Sequence, residues 1–187
     1  MCKLLVPGDR FGAFENGFTV LDINKAKGDI LCIKTRPWKR IPFDEKTELD
    51  CNNNFADASI RSQLSHVFFG SLLECPEDKD YFIRMSADIV DDSGRMDYGM
   101  IRDHVRLLTQ QEMVKYRKYL NIKDWAWTMT PLKCCRGERL IGDQSVAIAD
   151  STGRWGHKKA CFLADVYPVV TFRQRITRHE SFYLKVR

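Results

Sequence analysis

The sequence predicts an α+β fold, and three observations carry that prediction. Two stretches have helical character, 57–68 through apolar spacing and 109–120 through a capping signature. Short β-rich runs bounded by turn residues precede them, and beyond residue 121 the chain reads as strand and turn throughout. The third observation is size: 187 residues, 44% hydrophobic and 29% charged, suit one domain, 1–187, that buries roughly 70% of its unfolded surface. No repeat, low-complexity stretch or linker interrupts it.

The elements follow in order. Residues 17–23 and 29–36 are β-rich runs separated by N-K-A-K-G, whose glycine supplies the positive φ a hairpin needs. After the breaks at Pro37 and Pro42 comes a polar, irregular stretch to Asn54. Asp57 is then placed to cap a helix of about three turns, with Ile60, Leu64, Val67 and Phe68 at i, i+4, i+7 and i+8. His66 lies just off that stripe and reads as a boundary residue. Acidic turns at 74–80 and 88–95 flank a strand candidate at 81–85. The second turn lacks the alternating oxygen ligands and closing Glu of a calcium loop, so it reads as a solvated turn. A short strand at 105–108 leads into T-Q-Q-E, a capping box in which Thr109 and Glu112 satisfy each other's backbone, and a helix to about Leu120. Strands are expected at 125–129, 145–149, 160–163, 166–172 and 182–186, with a turn at 151–154.

No apolar run approaches the ~20 residues of a membrane span, and Pro7, Gly8 and Asp9 cut the starting M-C-K-L-L-V short of an export signal, so a cytoplasmic location is expected. Seven cysteines with no repeated spacing argue for reduced thiols rather than a disulfide framework. Charge is uneven: residues 1–100 hold 13 Lys and Arg against 17 Asp and Glu, residues 101–187 hold 17 against 8. Either the halves attract each other within one fold, or the basic half offers a surface to an anionic partner.

Residues 124–135, D-W-A-W-T-M-T-P-L-K-C-C, place Trp125 and Trp127 on one face of a strand, where each can bury roughly 200 Å². They read as a core plug, against the alternative of an exposed aromatic platform. Pro131 ends the strand, because proline cannot donate to a ladder.

These joints carry a resemblance that covers most of the chain. Phe18 to Asp22 is similar to a W-x-V-L-D strand, Ser59 to Phe69 to an S-x-L-R-x-W-L-N-x-x-F-Y helix, and Leu107 to Glu112 to L-L-S/T-x-E-E. Trp127 to Pro131 and Asp165 to Pro168 stand for W-L-R-S/T-P and G-V-R-P. The chain thereby resembles an uncharacterised domain family of Gram-positive gut bacteria and their phages. The closing pattern is similar to that of C-type-lectin-like folds, formylglycine-generating enzymes included. The resemblance implies two helices flanking small, twisted antiparallel sheets, with Trp125, Trp127, Pro131, Tyr167 and Pro168 in the core. Met129 and Tyr167 stand where the family has Arg, so any bridge between the closing strands would be apolar here.

Cys134 and Cys135 with His157 and Cys161 are the constellation with metal flavour, since H-x-x-x-C is a zinc-compatible spacing. Adjacent cysteines on a strand point to opposite faces, however, so no metal and no cofactor is expected. Four histidines and many acids specify no catalytic set, no motif matches the formylglycine-generating site, and neither G-x-G-x-x-G nor a Walker-type loop occurs. In T-F-R-Q-R-I-T-R-H-E-S-F-Y-L-K-V-R, residues 171–187, strand alternation puts Arg173 and Arg175 on one face, with Arg178, Lys185 and Arg187 following. This is either a partner-binding basic stripe or a solvated face paired with the acidic half.

The expected function is a non-catalytic intracellular binding module for a protein or ribonucleoprotein, with nucleic acid reachable through the basic C-terminal half and no membrane role. Its most concrete form, by way of the resemblance, is a phage- or mobile-element-encoded inhibitor of a host defence complex such as a CRISPR nuclease. The alternatives are a cysteine-dependent enzyme using Cys134, Cys135 or Cys161, and a carbohydrate-binding lectin. The lectin is disfavoured by the missing E-P-N and Q-P-D tripeptides.

Overall fold

A computed structural model describes residues 5–13, 16–35, 38–73, 75–120, 122, 124–132, 144–150, 152–161, 163–164 and 166–176. The fold is α+β and mostly sheet. β1 (Arg10–Ala13), β2 (Asn16–Asn24) and β3 (Asp29–Lys34) form an antiparallel meander. The β2–β3 hairpin is the expected one, and Gly28 turns it at φ 64°. A register shift between Val20 and Asp22 marks a bulge. Around it Val20, Ile30 and Cys32 enter one core cluster, and Leu21, Leu31 and Ile33 a second. The sheet is therefore buried on both faces, which is why D-I-L-C-I has no polar alternation.

Residues 38–58 cross the molecule and lead into α1 (Ser59–Gln63), which continues as a π-helical turn, Leu64–Phe68. Two details differ from the sequence reading. The helix is capped not by Asp57 but through space: Ser59 N donates to the Asp44 carboxylate (3.4 Å) and Ile60 N to the Phe43 carbonyl (3.1 Å). Asp57 instead accepts from Asn54 Nδ2 at the surface. Val67 is 54% exposed, while Leu64, Phe68 and Phe69 are buried. The wider i→i+5 turn of the π segment shifts the apolar face by one position relative to a 3.6-residue period.

Within the acidic stretch 74–80, expected as a turn, a 3₁₀ helix forms, Pro76–Tyr81, and it takes in the first residue of the strand expected at 81–85. β4 (Phe82–Ile83) and β5 (Met85–Asp88) follow, then β6 (Met100–Asp103) and β7 (Val105–Leu107). α2 (Gln110–Tyr116) and a 3₁₀ turn, Arg117–Tyr119, complete the second helical stretch. The capping box is present: Glu112 N donates to Thr109 Oγ1 (3.1 Å), and Thr109 N to Glu112 Oε2 (3.0 Å). Arg106 clamps the same carboxylate with both terminal nitrogens, each at 2.6 Å.

β8 (Ala126–Pro131), β9 (Ser145–Ala149), β10 (Trp155–Lys159) and β11 (Tyr167–Pro168) build a second sheet in the order β10-β9-β8-β11. Val146 and Ile148 of β9 belong to the first cluster; Ala149, with Ala126 of β8, belongs to the second, which also holds Met113, Tyr116 and Leu120 of the second helical stretch. Small residues there give α2 room to lie close. The strand expected at 160–163 lies instead at 155–159, and β11 pairs parallel to β8, so the sheets are not wholly antiparallel. β12 (Val170–Arg175) returns to the first sheet, between β3 on one side and β4 and β7 on the other. The strand expected at 182–186 lies outside the described residues.

Two turns share one construction. In 91–95 and 150–154, D-x-[ST]-G-R, an Asp Oδ1 accepts from the Ser or Thr amide (2.9 Å in both), its hydroxyl (2.7 and 2.6 Å) and the Arg amide (2.9 and 3.1 Å). Gly94 and Gly153 sit at φ 85° and 89°, where glycine alone is unstrained.

Candidate partner-binding surface

Trp127 is fully buried; its Nε1 donates to the Ile41 carbonyl (2.9 Å) and its ring meets Phe43 edge-on at 5.5 Å. Trp125 packs against the same cluster but is only half-buried, lying over Gly156, with the Arg154 guanidinium 5.4 Å from its ring. Pro131 and Pro168 are buried. Met129 is buried in the core, whereas Tyr167 is half-buried and carries the Arg40 guanidinium on its ring at 4.8 Å.

In β12, Phe172 and Gln174 are buried and alternate with Arg173 and Arg175 as expected. Arg173 donates to Asp29 across the β3–β12 pair, and that carboxylate is 3% exposed. Arg175 is exposed at the strand's end. Arg178, Lys185 and Arg187 lie outside the described residues, as do Cys134 and Cys135. His157 is exposed on β10, while Cys161 is buried beyond it. Among the described residues no three His, Cys, Asp or Glu side chains gather as a metal cage. Cys51 Sγ donates to Gln144 Oε1 (2.8 Å), and burial, with Cys161 nearby, pushes its thiol up. Burial raises Cys32 further, despite the arginine at 173. Such thiols are poor nucleophiles.

Sequence reasoning missed a cleft of about 430 Å³ along α1, lined in part by Ser59, Ser62, Ser65, His66, Arg61 and Asp103. The three-residue spacing of its serines was the available signal. His66 Nδ1 lies 2.9 Å from the Ser62 carbonyl, so it carries the ring proton and cannot act as base toward the Ser62 hydroxyl 3.3 Å away. Arg61 holds Asp103 through Nε (2.7 Å) and Nη2 (3.1 Å). His104 stacks on Phe69 (4.7 Å, 8°), and burial, Arg84 and Lys79 lower its pKa.

A second surface joins cations and aromatics. Lys34 Nζ lies 5.9 Å from the Phe68 ring, Trp38 meets that ring edge-on at 5.5 Å, and Lys39 Nζ sits 5.0 Å over Trp38. Next along the chain, Arg40 covers Tyr167 and pairs with Asp124. Tyr167 and Lys34 then line one crevice with Ile33 and Pro168, which closes the circuit. Lys39 and Arg40 are exposed.

No family model, curated protein or solved structure matches the chain.

Proposed function

We propose that the protein is a non-catalytic binding module, a single domain of C-type-lectin-like fold acting in the cytoplasm on a protein or ribonucleoprotein partner. The observation that carries this reading is how its chemistry-bearing side chains are engaged. Arg61 holds Asp103, Arg106 holds the capping Glu112, Arg173 holds Asp29, and Asp150 closes its own turn. The first three pairs tie elements together, Arg61 and Asp103 line the polar cleft, and Lys34, Trp38, Lys39, Arg40 and Tyr167 form a cation–aromatic surface. The fold assignment is supported by the return of the last described strand to the amino-terminal hairpin, and by helical segments bordering both core clusters. The most concrete version, inhibition of a host defence complex such as a CRISPR nuclease, draws on the family resemblance alone.

The test is retention from bacterial host lysate on the immobilised protein. A macromolecule held at near-stoichiometric yield, unaffected by Cys161→Ser, is the expected result. Loss of biological effect in Cys161→Ser at unchanged stability would instead favour the cysteine-dependent enzyme.

A further inference from the structure

We propose that the circuit of Lys34, Trp38, Lys39, Arg40 and Tyr167 is a contact site for single-stranded nucleic acid. The proposal rests on the binding-module reading and names the partner chemistry of one surface.

The geometry of Arg40 separates nucleic acid from an acidic protein. A guanidinium offers two recognition surfaces, an edge of N–H donors that suits carboxylates and a flat face that suits aromatic rings. One terminal nitrogen of Arg40, Nη2, donates to Asp124, and the guanidinium lies over the Tyr167 ring. Its side chain is nonetheless 51% exposed, which leaves the opposite face toward solvent. A planar base fits there, as the third layer of a Tyr167–Arg40–base stack, whereas a second carboxylate at the guanidinium edge would meet the like charge of Asp124. Bases of single strands are recognised by stacking on aromatic rings and guanidinium planes.

The neighbouring ammoniums suit the strand's backbone. Lys39 is exposed over Trp38, and Lys34 is half-buried against Phe68. Burial lowers the Lys34 pKa, and a phosphate approaching it favours the charged form. The molecule's charge points the same way. Ion pairs between the halves run in both directions: Arg173–Asp29 and Lys159–Glu48 join basic-half cations to acidic-half acids, while Arg40–Asp124 and Arg61–Asp103 do the reverse. These four pairs therefore leave the basic excess of residues 101–187 in place, and Lys115, Arg117, Lys118, Lys158 and Arg175 are exposed. Such a field draws in polyanions and favours their encounter with the stacking site.

The experiment is fluorescence anisotropy of the full chain with a labelled oligo-uridine 20-mer across a salt series. Wild type should bind at low salt and weaken as salt rises. Lys39→Gln should flatten the log–log slope by about 0.7, one phosphate contact on a single strand. Arg40→Lys keeps the charge but lacks the planar face, and should weaken binding by about tenfold with little change of slope. Both side chains are exposed, and an unchanged melting temperature verifies the fold of each variant. No binding at low salt overturns the proposal, as does binding that Arg40→Lys and Lys39→Gln both leave unchanged. Binding that polyglutamate displaces as readily as oligo-uridine, with Arg40→Lys equal to wild type, also overturns it, in favour of an acidic protein. Failure here leaves retention of a protein from lysate as a separate result, so the two readings fail independently.

Discussion

Trp127 does two things at once: it fills the space between the sheets with its ring and satisfies the Ile41 carbonyl with its Nε1. Trp127→Ala removes both and is expected to cost about 3–5 kcal/mol, the range for core aromatic truncations, in urea denaturation. A loss under about 1 kcal/mol would show that the site collapses around the gap and that the plug reading is wrong. Asp150 works through charge. Burial pushes its carboxyl up, but hydrogen bonds from Thr152 and Arg154 outweigh this and bring the pKa down to about 2. An unfolded aspartate titrates near ~3.9, so the stabilisation is complete above that pH and is lost as pH falls toward 2. Acid unfolding of Asp150→Asn should accordingly be less steep than wild type between about pH 4 and pH 2. Identical acid limbs would remove Asp150 from the account.

At the scale of elements, helix α1 depends on a residue outside it. Asp44, 1% exposed, receives Asn52 N at 2.8 Å and Ser59 N at 3.4 Å, and so joins the irregular crossing segment to the helix start. Asp44→Ala leaves two amides without their acceptor and should cost about 1–3 kcal/mol. Asp57→Ala, at the sequence-expected cap, should fall within about 0.5 kcal/mol of wild type. If thermal or chemical melts reverse that ranking, the helix is capped locally after all. α2 differs because its cap is written into four consecutive residues, so T-Q-Q-E is legible in the sequence alone. The turns within 88–95 and at 151–154 are legible there too. Their common construction is not: that in each D-x-[ST]-G-R one carboxylate oxygen gathers two amides and a hydroxyl emerges only from the folded backbone.

For the whole molecule, the pairing of Arg173 with Asp29 decides how the C-terminal basic run is used. β12 lies inside the first sheet, so its outward-alternating arginine falls beside a buried acid of the amino-terminal hairpin. Arg173→Ala strands the Asp29 charge and should destabilise by about 3 kcal/mol, the low end for a buried pair losing one partner. Arg175→Ala, exposed at the end of the same strand, should change stability by no more than about 0.5 kcal/mol. Equal effects in denaturant titrations would refute a split between an internal tie and a surface cation. No described helix is long and apolar enough to cross a membrane, which agrees with the absence of an apolar run of that length in the chain.

Features whose cause lies within a few residues could be read from the chain directly. The β2–β3 hairpin follows from a glycine turn between β-rich runs, the α2 start from its capping box, and the shared face of Trp125 and Trp127 from the two-residue period of a strand. Tertiary structure decided what depends on distant partners. Asp44 reached α1 across 15 residues, the π turn rotated Val67 out of the stripe, and β10 formed from W-G-H-K-K because β9 lay beside it. The candidate surfaces belong to this second kind. Lys34, Phe68, Trp38, Arg40 and Tyr167 come from a strand end, a helix, a crossing segment and the short β11, and no local periodicity links them. Local propensity is a property of neighbours in the chain, whereas a binding surface is a property of neighbours in space, and those are set only when the two sheets close on their shared core.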